Sequence, residues 1–184
     1  MGTISLAIHV TAAALFVGPQ ILMFFAVIPA TWLIEDNEKL RRQVTRVVAA
    51  RFGMLAMIAI VLLVVTGVYQ YLVLVPESIR RAPDRYAFSN LFDAKMTMFI
   101  LSLVLIFLHT RLFARKIATL SDQLIALEDQ HTAASRESAK VVAIELEQAR
   151  RKSFNFSLLI LAASLITLWL GVARGDPSFA WAQR

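Results

Sequence analysis

Four apolar stretches dominate this chain, each about the ~20 residues a helix needs to cross ~30 Å of hydrocarbon. They run from Ile4 to Ile34, from Phe52 to Val75, from Leu91 to about Phe113 and from Phe154 to Val172. Lipid offers the backbone no hydrogen-bond partners, so segments of this kind satisfy themselves as helices. The expected fold class is therefore all-α, a bundle of four transmembrane helices forming one membrane domain over residues 1–184. Composition agrees: 17% charged against 58% hydrophobic residues leaves too little charge to cover a soluble domain of this size. Pro19 and Pro29 lie inside the first block, so that helix is expected to kink or end early. The start Met1-Gly2-Thr3-Ile4-Ser5-Leu6 lacks the hydroxyl a myristoylation signal needs at its sixth position. No basic segment precedes the first block, which is expected to stay in the membrane rather than be removed as a signal peptide.

Charge sets the orientation. The formal net charge is +6, but the cations stand beside apolar blocks and not on one basic face, so nucleic acid is not an expected partner and lipid is. Lys39, Arg41, Arg42, Arg46 and Arg51 lie between the first and second blocks. Arg111, Arg115, Lys116, Arg136, Lys140, Arg150, Arg151 and Lys152 lie between the third and fourth. The opposite side carries only Arg80, Arg81 and Arg85, then Arg174 and Arg184. The positive-inside rule puts both termini outside and the two basic loops in the cytoplasm.

The long segment 115–152 is patterned. Ile117, Leu120, Leu124 and Leu127 recur at spacings of three and four, and Val141, Ile144 and Leu146 precede Arg150, Arg151 and Lys152. The polar run Asp129-Gln130-His131-Thr132 between them is a turn signal. The third and fourth helices are thus expected to continue as a cytoplasmic helical hairpin, reaching ~20–25 Å beyond the membrane at 1.5 Å per residue. Such a hairpin is either a solvated spacer or a docking surface for a larger membrane complex or a second copy. Small residues spaced by four, Ala14 and Gly18 in the first helix and Ala163, Thr167 and Gly171 in the fourth, are expected at helix–helix contacts.

Ionisable groups inside a bilayer are costly, which singles out His9, Lys95 and His109. Helical rise puts His9 ~7–8 Å and Lys95 ~6 Å below the outer ends of their helices, at one level. His109, fourteen residues beyond Lys95, is ~21 Å deeper and at the inner surface. The two histidines therefore cannot flank one iron. At the outer level, His9 can meet Asp93, Lys95, Met96, Met98, Tyr69, Tyr71, Trp169 and Arg174. Imidazole and thioether suit haem iron, and Lys95 or Arg174 would suit haem propionates. The same ligands suit copper. With no cysteine in the chain, disulfides, iron–sulfur clusters, thiolate–zinc sites and covalent c-type haem are excluded, so any haem b is non-covalent. A purely structural alternative has Lys95 snorkelling to the interface and pairing with Asp93. These residues assign no catalytic role.

Two segments resemble a known family. His9-Val10-Thr11-Ala12-Ala13-Ala14-Leu15-Phe16-Val17-Gly18, with Pro29 beyond it, resembles the first helix of the copper-resistance D (CopD)-like membrane superfamily. Asp93-Ala94-Lys95 through Leu108-His109 resembles the lysine-then-histidine helix of the HemJ-type protoporphyrinogen oxidases of that superfamily, and Thr66-Gly67 also fits. The resemblance covers residues 4 to about 114. It implies a haem b ligand at His9 (the metal-binding residue) and a functional partner at Lys95; the expected location is a bacterial inner membrane. The functions it implies are a cytochrome b-like electron-transfer subunit or a porphyrinogen-oxidase relative. Copper handling, or a non-redox structural subunit, is the alternative.

Overall fold

The computed structural model describes residues 2–34, 37–81, 85–176 and 178. Met1 and Arg184, which enter the leader and orientation arguments, lie outside the described residues. Among the described residues, four helices are long and apolar enough to cross a membrane: α1 (Gly2–Trp32), α2 (Glu38–Leu74), α3 (Ala87–Glu128) and α4 (Ala133–Arg174). Among the described residues there is no strand. In the most apolar stretch of α2 only 6% of residues are buried. Val61, Val64, Val65 and Val68 lie open on its surface. Water would not tolerate such a face, and hydrocarbon requires it. α3 and α4 at 42 residues each are about twice what a bilayer core needs, so each carries a polar extension.

The helix containing Pro19 and Pro29 does not end early. It runs through Pro19 to Leu22, makes a five-residue π-helical turn at Met23–Val27, and continues as α-helix over Ile28–Trp32, which contains Pro29. The Gln20 side-chain amide donates to the Phe16 carbonyl at 3.0 Å, one turn back. Two further π-helical turns occur at Gln70–Leu74, ending α2, and at Thr110–Ala114, directly after His109.

The chain divides into two compact units. The first comprises Met1–Gln20, Phe52–Leu103 and Leu161–Arg184. Its interior is built from small side chains: Ala12 and Ala59 are wholly buried, as are Ser102 and, at 1% exposure, Ser164. Small residues let backbones approach where no hydrophobic effect drives packing. The small residues expected on α1 are not the ones used. Ala14 and Gly18 are exposed, and a side chain added at Gly18 would meet nothing within 4 Å. The packed face of α1 is Ala12, Phe16 and Val17, turned away from them by the 3.6-residue repeat. On α4 the expectation fares better, with Ala163 buried and Gly171 against Lys95. A satellite cluster joins Ile79 and Phe88 to Tyr71, Val75 and Phe92.

The second unit comprises Ile21–Arg51 and Val104–Ile160. Here the extensions of α3 and α4 pack through Leu120, Leu124, Leu146 and Ala149, with Leu146 only 1% exposed. α4 opens on a reciprocal cap: the Ser135 N–H donates to the Thr132 hydroxyl at 3.0 Å, and the Thr132 N–H to the Ser135 hydroxyl at 3.1 Å. The start of α2 is tied to the same packed pair of helices. Glu38, 8% exposed, accepts from the Arg150 guanidinium through both oxygens (2.7 and 2.9 Å) and from the Ser121 hydroxyl at 2.5 Å. Arg41 reaches Glu147 at 3.0 Å and Arg42 reaches Asp122 at 3.1 Å. Face-to-face stacking of Phe24 on Phe154 at 4.4 Å, flanked by Trp32, joins α1 to α4.

Candidate functional site

The first unit brings His9 of α1, Thr66 of α2 and Lys95 of α3 together. Thr66 is 7% exposed, and its hydroxyl proton is spent on its own helix: Oγ1 donates to the Leu62 carbonyl at 2.5 Å. That oxygen can therefore only accept from His9 Nδ1, 2.7 Å away. The bond selects the tautomer with the proton on Nδ1 and leaves the Nε2 lone pair free. The Lys95 ammonium nitrogen lies 3.5 Å from Nε2, at the long limit of a hydrogen bond.

Two glycines shape the surroundings. A Cβ added at Gly67 would stand 3.6 Å from His9 Cε1, and one at Gly171 would stand 3.4 Å from Lys95 Nζ. Longer side chains at either position would occupy the space of the imidazole or the ammonium. One turn from Thr66, the buried Gln70 donates from Nε2 to the Ser5 carbonyl at 3.3 Å, tying α2 to α1 where the π-helical turn begins. The Ser5 hydroxyl beside it is buried without a hydrogen-bond partner among the described residues.

The remaining expected residues divide by helix face. Asp93 is exposed and forms no ion pair with Lys95, because residues two apart on a helix point in different directions. The pairing of Lys95 with Asp93 is thus replaced by the contact with His9. Met98, three residues from Lys95 and on its face, is half-buried, whereas Met96 is 38% exposed on another face. Arg174 lies over the rings of Phe88 and Phe92, at 5.5 and 5.6 Å from their centres. Tyr71 stacks on Phe92 at 4.8 Å, and Trp169 at 66% exposure points away from the interior. Thr66 entered the sequence argument only through the family resemblance, and Gln70 not at all. The signal for both is a polar side chain, one turn apart from the other, in an otherwise apolar block.

His109 belongs to the second unit, where its Nε2 meets the Ser153 hydroxyl at 2.8 Å and the Ser157 hydroxyl at 3.2 Å between the rings of Phe113 and Phe156. These contacts satisfy it as a polar bridge between α3 and α4.

Among the described residues, no group of three or more His, Asp or Glu side chains is placed to hold a metal ion. No protein-family model, curated protein or solved structure matches the chain.

Proposed function

We propose that this chain is a haem b-binding integral membrane protein of the CopD-like type, acting as an electron-transfer subunit or as a porphyrinogen-oxidase relative. The observation that carries the reading is the contact of His9 Nδ1 with the Thr66 hydroxyl, which argues for the proton on Nδ1. A metal-ligating imidazole ordinarily donates its distal N–H to a fixed acceptor, which orients the ring and raises its basicity. Thr66 suits that acceptor role, and Nε2, met only by the Lys95 ammonium at 3.5 Å, would be the ligand atom. Bound haem would supply one-electron chemistry at its iron.

The residues fit that role with one movement. Lys95 Nζ lies beside Nε2, so its flexible side chain would have to turn aside for a ligand there, and its ammonium would then suit a propionate. Met98 shares the Lys95 face and is better placed than Met96 to supply a thioether. Arg174 adds a second cation within the same unit. In this reading both termini are extracytoplasmic, the membrane is a bacterial inner membrane, and the packed extensions over 115–152 form the cytoplasmic hairpin.

The test is the optical spectrum of protein purified from haem-replete cells. A Soret band is expected, with haem extractable by acid–acetone. His9→Ala should abolish or strongly shift that band, while His109→Ala should leave it intact. Wild-type protein without Soret absorbance would overturn the proposal, and stoichiometric copper in such a preparation would transfer the site to the copper-handling reading.

A further inference from the structure

The cations of the second unit divide by level. Towards the α3–α4 turn they find carboxylates: Arg41 and Arg150 share Glu147, Arg42 takes Asp122, and Lys116 takes Glu145 at 2.8 Å. Nearer the apolar blocks stand Arg46, Arg51, Arg111, Arg115, Arg151 and Lys152. All six are exposed, and none is in an ion pair among the described residues. None could find a carboxylate on its own helix at that level, because residues 39–76, 94–121 and 148–175 contain no Asp or Glu.

The contacts on either side put Arg46, Arg115 and Arg151 at about one level. His109 touches Ser153 and Ser157, and Leu120 packs with Leu146, so Arg115 and Arg151 each fall about midway between the same two contacts. Arg46 is eight residues from Glu38, while Arg115 is six from Ser121, the residue Glu38 touches. At 1.5 Å per residue they are within about one turn of each other. Arg111 shows what these side chains face. Its guanidinium folds back over Phe107, at 5.1 Å, a ring that is itself 57% exposed in the apolar block. A cation at the edge of hydrocarbon, with its stem along apolar surface and no protein anion, is positioned for the phosphate layer of a bilayer.

We propose that this collar binds anionic phospholipid headgroups, with Arg46, Arg115 and Arg151 as its main phosphate contacts. Guanidinium groups suit phosphate oxygens through paired N–H donors. The site is independent of any haem and of which face of the membrane is cytoplasmic.

The full-length protein in neutral detergent would be titrated with phosphatidylglycerol, with phosphatidylcholine, and with inorganic phosphate, and retained lipid read by native mass spectrometry. Phosphatidylglycerol is expected to bind in preference to the other two. Arg46→Gln/Arg115→Gln/Arg151→Gln should weaken it about a hundredfold, at about fivefold per cation removed. Lys39→Gln/Arg136→Gln/Lys140→Gln removes the same charge away from the collar and should leave binding unchanged. Equal loss in the control would show that net charge is responsible and overturn the proposal, as would phosphatidylcholine or free phosphate binding equally well. Should the triple collar variant fail to fold, the three single variants decide it: each is expected to lose about fivefold, and no loss in any would overturn it.

Discussion

The Nδ1 of His9 lies 2.7 Å from the Thr66 hydroxyl oxygen, an acceptor whose own proton is committed to the Leu62 carbonyl. Thr66→Val keeps the shape and removes the acceptor, while Thr66→Ser keeps the acceptor. If His9 is a haem ligand, Thr66→Val should weaken haem retention by about 10- to 100-fold, the usual cost of losing such an outer contact. Thr66→Ser should restore both retention and the redox midpoint potential. Equal behaviour of the two variants would show that the hydroxyl has no part in orienting the ring.

Lys95 and Gly171 test the other side of the imidazole. Gly171→Ala adds a Cβ in ordinary contact with the ammonium and should be tolerated, whereas Gly171→Leu needs space that Lys95 occupies. The expected result is an unchanged helical content by circular dichroism in both and, if the proposed haem is bound, a Soret band displaced only in Gly171→Leu. A spectrum insensitive to Gly171→Leu would remove Lys95 from the site.

Glu38 and Arg150 form the most enclosed ion pair among the described residues, their side chains 7% and 16% exposed. Arg150→Gln leaves the buried Glu38 carboxylate only the Ser121 hydroxyl and should destabilise by about 3–5 kcal/mol, whereas Glu38→Gln leaves Arg150 its contact with Glu147 and should cost less. Part of that cost should be recovered in the double variant. Thermal melts of the four proteins in one detergent measure this, and fully additive losses would mean that the pair is not coupled.

Leu146, 1% exposed in the cluster with Leu120 and Leu124, anchors the packed extensions. Leu146→Ala should cost about 2–5 kcal/mol. The loss should show first as protease cleavage near His131. Cleavage that stays as slow as in the wild type would mean that this cluster contributes little.

The chain has no cysteine, so single cysteines report topology directly. A cysteine replacing His131 should react with an impermeant maleimide only after the inner face is opened. One replacing Ser178 should react in intact cells. The reverse pattern would invert the proposed orientation.

Four helices long and apolar enough to span a membrane were legible because the requirement is local: each run of about 20 apolar residues meets it without reference to the rest of the chain. The meeting of His9 with Lys95 was also within reach of counting, since a constant rise per residue carries depth from sequence alone. Rotation about each helix axis was not. A helix that is apolar all round displays no buried face, and the choice of Ala12 over Ala14 and Gly18 comes from interlocking with side chains on distant segments. For the same reason Thr66, and not a charged group, turned out to hold the imidazole, and Gln70 went unseen. Glu38 lies between two apolar blocks, where nothing local marks it out. Its burial depends on Ser121 and Arg150, 83 and 112 residues away, and only packing three helices together brings those groups into reach.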